Sequence, residues 1–427
     1  MKRFLSLLLA VIMVFTLAAC GGSGKGENGK VYWLNFKPEL DEALQTLATS
    51  YTKQTGVEVK VVTAASGKYE ETLTAEMDKS EAPTLFNVGN AAGVKTWGDY
   101  CLDLKDTDAY NALTTTSFNQ VDANGKVCSI GLCYEAYGII VNQALLTKAG
   151  YKLDDIKDFD SLKKVAEDIH ARAKDLGFDA FTSAGLDDSS SWRFSGHLAN
   201  MPLYYEGKDA GWTECPATIT GKYLDNFKAI WDLYTANSAT DKTKLATAGL
   251  DAEAEFGKGE AVFYQNGTWE YANLTAADKY AMNADDLAMI PIYCGVAGED
   301  KAGLCSGTEN ALAVNANASE ADKTATLDFL KWMVTSEEGL KCLVDNLGGV
   351  PYKNAPESEN PFFADGNALL AAGNYNVDWT FNYTPNVDDW RAAVVNAMVQ
   401  YCSGGSWDAV KTAFVDGWAT QYKAANS

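Results

Sequence analysis

Val31-Tyr32-Trp33-Leu34-Asn35 is a short run of β-branched, aromatic and aliphatic residues, and it reads as a strand. Residues 41–54 follow, with Leu44, Leu47, Ala48 and Tyr51 at helical spacing and Gly56 placed where such a helix would stop. Val57, Val59 and Val61 then alternate as a second strand would. Parallel neighbours need a long crossover, so a strand, a helix and a strand in this order favour a parallel sheet covered by helices.

The same reading extends outward. A helix is predicted over 161–173, with Leu162, Val165, Ala166 and Ile169 on one face and His170 beside it as a structural or exposed residue. Residues 261–265 read as a strand that leads into Asn266-Gly267-Thr268-Trp269, taken as a turn in which Asn266 or Thr268 caps a following helix. Ser319 and Asp322 have capping-box spacing before a helix that carries Leu330 and Met333 inward. A further helix is expected from Asp388 or Asp389, with Trp390, Ala393, Val394, Ala397, Met398 and Tyr401 in register and Gly404-Gly405 as its stop.

Composition narrows the function. The 427 residues include 57 acidic and 35 basic ones, for a net charge of −22, with 47% hydrophobic residues. That balance describes an ordered chain of two or three domains, two being the working number. It argues against nucleic acid and anionic lipid, which are held by Lys and Arg. Histidine occurs only at 170 and 197, which leaves little for metal sites or His-based catalysis. No phosphate-cradling glycine motif, H-E-x-x-H or G-x-S-x-G is present, so neither a cofactor nor a metal is expected.

Lys2 and Arg3 precede an apolar run, Phe4 to Leu17, that is short for a membrane span and fits a secretory signal. Leu17-Ala18-Ala19-Cys20-Gly21 resembles the bacterial lipobox, which implies lipidation of Cys20 and attachment to the outer face of the cell membrane. A glycine-rich polar tether follows to Gly29. Loss of Lys2 and Arg3 takes the charge from −22 to −24. Eight cysteines remain, at 101, 128, 133, 215, 294, 305, 342 and 402. Cys294 with Cys305 and Cys128 with Cys133 are the pairs to test first, and eight reduced thiols are the alternative.

An ordered series of segments carries a broader resemblance. It comprises residues 31–39, Ala82-Pro83-Thr84-Leu85-Phe86-Asn87, Tyr134-Glu135-Ala136-Tyr137-Gly138-Ile139-Ile140-Val141-Asn142, Phe256-Gly257-Lys258-Gly259-Glu260-Ala261, Asn266-Gly267-Thr268-Trp269 and Asp328-Phe329-Leu330-Lys331-Trp332. On these the chain resembles the extracellular solute-binding proteins of carbohydrate ABC transporters, the family that includes maltose-binding protein. Residues 62–67, 180–185 and 307–310 are most similar to malto-oligosaccharide-binding lipoproteins of Gram-positive gut bacteria.

The resemblance implies an α/β, two-lobed periplasmic-binding-protein-like fold with crossing hinge strands and a ligand cleft between the lobes. The expected division is a signal over 1–19, a tether over 20–29, one lobe from 30–135 and 305–355, and the other from 136–304 and 356–427. It also implies a monomer that closes on an oligosaccharide, an α-glucan fragment, and delivers it to an ABC permease without chemistry. The rival is an exported glycan-degrading enzyme that uses a carboxylate pair.

A pyranose shows hydroxyl edges, which want carboxylate and amide partners, and an apolar face, which wants a ring. By the resemblance Glu135 falls on the family's sugar-bonding carboxylate, Trp269 on its stacking tryptophan, and Trp192 with Arg193 on a cleft-lining segment. Trp390 and Trp379 are candidates for a second platform, although Trp390 also fits the core stripe of its helix. Asn35, Lys37 and Glu39 after the first strand, and Asn87 and Asn90 after a later one, stand where either cleft groups or surface loops occur. Glu309 and Asn310 lie at the later crossing, to bond the ligand or steady the hinge.

Overall fold

The computed structural model describes residues 29–187, 190–212, 214–246 and 249–426. The signal segment, Cys20 and the tether up to residue 28 lie outside the described residues.

The deciding stretch folds as its pattern predicts. Strand β1 (Val31–Asn35) is buried throughout and pairs in parallel with β2 (Val59–Thr63), Val31 opposite Val59 and Asn35 opposite Thr63. The helix between them, Asp41–Thr55, buries Leu44, Leu47, Ala48 and Tyr51 and ends at Gly56, whose φ of 76° favours glycine. Pairing starts at Val59, so Val57 precedes the strand.

The later strands are β3 (Leu85–Asn87), β4 (Gln120–Val121), β5 (Val127–Gly131), β6 (Glu135–Asn142), β7 (Asp179–Phe181), β8 (Ala261–Gly267), β9 (Leu287–Ile290), β10 (Ala302–Gly307), β11 (Ala311–Val314) and β12 (Tyr375–Asp378). They form two sheets of six. One has the order β2-β1-β3-β11-β5-β4, the other β12-β10-β6-β8-β7 with β9 also paired to β6. Each sheet is the centre of a lobe with apolar packing on both faces.

Strand β6 shows why. All eight of its residues are buried; Tyr137, Ile139 and Val141 enter one core, Ala136 and Ile140 the opposite one. Successive strand side chains face opposite ways, so a central strand covered on both sides reads as a continuous apolar run. In the first lobe Trp33 and Tyr51 meet Phe329 edge-on at 6.2 and 5.0 Å, and each fully buried ring of this kind contributes roughly 1.5–3 kcal/mol.

The chain passes between the sheets three times. It leaves β5 at Gly131 and enters β6 at Glu135; it leaves β10 at Gly307 and enters β11 at Ala311. After the first-lobe helices Glu320–Thr335 and Glu337–Leu347 it returns to the second lobe and the helix Pro361–Ala371.

Local expectations fared unevenly. Ser319 caps Glu320–Thr335 by accepting from the Asp322 amide at 3.1 Å. The helix over the predicted 161–173 runs Phe159–Ala171 and is capped by Asp158, with the four expected positions buried; His170 is exposed and bonds Asp179 at 2.8 Å. The turn expected at 266–269 is corrected. Strand β8 continues through Gly267, Asn266 donates to Tyr264 Oη, Thr268 accepts from the Ala136 amide, and the helix Glu270–Thr275 starts with no side-chain cap. Antiparallel pairing with β6, Tyr137 opposite Gly267, outweighs the local turn preference of Asn-Gly. All eight cysteines are free thiols.

Candidate functional site

The two strand crossings bring the first and second lobes' polar groups together. Glu135 opens β6, and its carboxylate is 3% exposed. One oxygen accepts from Lys37 Nζ at 2.6 Å and the other from Asn310 Nδ2 at 2.9 Å. Lys37 sits on the loop after β1, also bonds Glu39 at 3.0 Å, and places its ammonium 5.3 Å from the Trp269 ring across the cleft. Burial alone would pull the Lys37 pKa down, but the carboxylates of Glu135 and Glu39 hold it above its ordinary value. Burial raises Glu135 against the opposing pull of Lys37 and Asn310.

The second lobe supplies rings. Trp269 lies directly on the backbone of β8, where a Cβ on Gly267 would come within 2.2 Å of it, so only glycine allows this seat. Trp192 approaches Trp269 at 6.1 Å and His197 edge-on at 4.9 Å; His197 stacks on Tyr137 at 3.8 Å and 6°. Trp379 is 5.3 Å from Tyr137 and donates its indole hydrogen to the Cys305 carbonyl. Behind Trp269, burial and the nearby Glu253 push the Glu270 carboxyl up to about 8.

Glu309 stands at the later crossing. Its backbone carbonyl would lie 2.0 Å from a Cβ on Gly89, so a bare glycine is what lets the crossing run against the first lobe. Burial raises its carboxyl pKa, while Arg391 of the helix Val387–Cys402 opposes that shift. The lobes also meet where Lys95 donates to the Ala425 carbonyl.

The expected residues therefore divide. Glu135, Lys37, Glu39, Asn310, Trp269 and Trp192 converge, with Glu309 and Trp379 beside them. Five others make their contacts within the scaffold. Trp390 is core: 1% exposed, against Phe414 at 4.6 Å and donating to the Phe414 carbonyl. Asn35 ties the loop to Lys37 by two bonds, at 2.6 and 3.0 Å. Asn87 accepts from the Ala311 amide, and Asn90 caps the helix Ala91–Trp97. Arg193 points inward, toward the carbonyls of Gln265 and Ser183 and over Tyr264, because neighbouring residues on a helical turn face different ways.

Three residues of the cluster had no sequence signal of their own. Tyr137 lay in an apolar strand pattern, His197 was one of two histidines, and Arg391 followed a core tryptophan. Among the described residues Gln265 Oε1 and Arg391 Nε are buried without a hydrogen-bond partner, and Tyr137 Oη has only the Cys305 thiol beside it. Satisfying such atoms is what a polar ligand does. A cavity of about 620 Å³ lies between Phe118 and Tyr134 of one lobe and Phe363 and Asn367 of the other, and Trp379 lines it too. Among the described residues no group of three His, Cys, Asp or Glu is placed to hold a metal, and no helix is long and apolar enough to cross a membrane.

Known proteins show the same organisation. Maltodextrin-binding protein MdxE of Bacillus subtilis is 24% identical over 298 residues, a match spanning 65% of this chain and 66% of that protein, a little under two thirds of its length. RafE in complex with raffinose superposes with a TM-score of 0.72 at 17% identity, covering 93% of this chain and all of that one. The GacH receptor of Streptomyces glaucescens, solved unliganded and with acarbose, gives 0.67 at 20% identity over 93% and 99%. These structural likenesses establish the two-lobed fold. The family model for bacterial extracellular solute-binding proteins matches residues 46–368, and with most of its length so matched, the chain belongs to that family.

Proposed function

We propose that this protein captures an oligosaccharide, a malto-oligosaccharide or similar α-glucan fragment, in the cleft between its lobes and delivers it to an ABC permease. One observation carries the reading: a carboxylate and amide cluster rooted at the crossings faces a set of aromatic rings, with Lys37 of the first lobe reaching Trp269 of the second. Hydroxyl edges and the apolar face of a pyranose need those two surfaces together. Similarity to a maltodextrin-binding protein favours the α-glucan, whereas the raffinose-bound fold relative marks how far sugar preference varies on this scaffold.

The mechanism is hinge closure. Contacts to both walls exist only when the lobes are together, so ligand shifts the population toward the closed form that the permease distinguishes. The protein acts as a monomer, exported and held to the outer face of the membrane through lipidated Cys20. It changes no bond in its ligand.

Calorimetric titration of the tether-trimmed protein with maltotriose, beside xylo-, fructo- and manno-oligosaccharides, tests this. One-to-one saturable binding of maltotriose alone supports it. Binding of another sugar instead discards the α-glucan, and silence with all of them discards the sugar. Shortened products after incubation would establish the glycan-degrading enzyme in its place. Loss of the lipid mass and of membrane attachment in C20S tests the anchor.

A further inference from the structure

His197 is held on several sides. It belongs to the π-helical turn Arg193–Leu198, stacks on Tyr137 at 3.8 Å, and has Trp192 at 4.9 Å and Trp269 at 5.6 Å. Gln265 Nε2 lies 2.8 Å from its Nδ1. With the Gln265 amide in this orientation its nitrogen donates, Nδ1 accepts and the ring proton is left to Nε2. Burial, reinforced by Arg391 and Arg193, keeps the imidazole pKa well below its ordinary value, so the ring is neutral at pH 7. No hydrogen bond among the described residues occupies Nε2, and among them the neighbouring Gln265 Oε1 is buried without a partner.

We propose that His197 is a specificity-determining residue of the cleft, donating its Nε2 hydrogen to one hydroxyl of the bound sugar. The proposal rests on the oligosaccharide reading above and adds to it a named donor. The free donor stands among Tyr137, Trp192 and Trp269, and a buried N–H left without an acceptor is costly until a ligand supplies one. Stacking on Tyr137 fixes the ring plane and Gln265 fixes the tautomer, so the donor is oriented before ligand arrives and binding does not have to order it.

The test is a coupling cycle between protein and sugar, with maltotriose and its singly deoxygenated analogues titrated into the unsubstituted protein, H197F and H197Q. If another oligosaccharide proves to be the ligand, its analogues are used. H197F, which keeps a ring against Tyr137, is expected to bind about tenfold more weakly, the worth of one buried hydrogen bond. One deoxy analogue should lose about tenfold on the unsubstituted protein and nothing further on H197F. H197Q, whose amide hydrogen can stand near the Nε2 position, should regain part of the loss.

Full binding by H197F, or losses that multiply for every analogue, would overturn the assignment while leaving the oligosaccharide reading intact. Silence of the unsubstituted protein toward every oligosaccharide overturns both. Should H197F fail to fold, nitrogen NMR of the unsubstituted protein decides. A neutral ring protonated at Nε2 from pH 6 to 8 supports the proposal, and an Nδ1-protonated ring or an imidazolium overturns it.

Discussion

The two walls of the cleft are built on different principles. The wall at the crossings is charged and closed on itself: Lys37, Glu39, Glu135 and Asn310 bond one another at 2.6 to 3.0 Å. The second lobe's wall is aromatic and incompletely paired, with Gln265 Oε1 buried and, among the described residues, unpartnered beside Trp192, His197 and Trp269. A self-paired wall keeps its shape without ligand, while an unpaired one leaves polar atoms whose satisfaction rewards binding. On the proposed function, stability and recognition are thereby separated between the two walls.

The strongest way to break this contrast is K37M. Removing one partner of a buried ion pair leaves the Glu135 charge uncompensated, so denaturant unfolding should show a loss of about 3–5 kcal/mol, while the double variant K37M/E135M recovers most of it. A loss below about 1 kcal/mol in K37M would mean the pair is not holding the crossing.

W269A comes next and tests the other wall. Its sugar affinity should fall roughly a hundredfold, about 2.7 kcal/mol, with much less effect on stability than K37M because the ring is only partly buried. Equal damage to both properties would collapse the distinction between the walls.

Glu270 probes the support behind that ring through pH. Its carboxyl is raised from 4.5 to about 8, so between those values the folded state holds a proton that the unfolded state has released. The stability it contributes is fully present below about pH 4.5 and is lost as pH rises through about 8. E270Q should therefore melt above the unsubstituted protein at pH 8 by an amount corresponding to about 1–3 kcal/mol, and the gap should narrow by pH 5. A gap independent of pH would refute the shift.

The smallest effect is expected from N90A. Loss of its cap to the Gly93 amide should cost about 1 kcal/mol of stability and leave sugar affinity unchanged. A large affinity loss would return Asn90 to the cleft.

The comparison also shows which signals a sequence carries. Leu44, Leu47, Ala48 and Tyr51, or Leu162, Val165, Ala166 and Ile169, are legible because burial imposes a period on neighbouring residues. Glu135 and Trp269 were singled out through the resemblance of their segments to a family, and the structure brings both to Lys37. Asn90 and Asn87 share composition with cleft amides, yet one caps a helix and the other holds the Ala311 amide; the acceptor oxygen is the same and only its surroundings differ.

Trp390 and Trp269 make the point most sharply. Both are tryptophans near a helix start, and one is sealed against Phe414 while the other lies open on the bare backbone of Gly267. By itself the sequence determined the strand and helix periodicities and the family, because these depend on residues close along the chain. Only the tertiary structure decided that Tyr137 and His197 lie beside Trp269 and that the Arg193 side chain turns toward the carbonyls of Gln265 and Ser183. Their meeting is set by the three crossings and the pairing of β6 with β8 and β10, which are contacts between residues far apart in the chain and leave no local pattern.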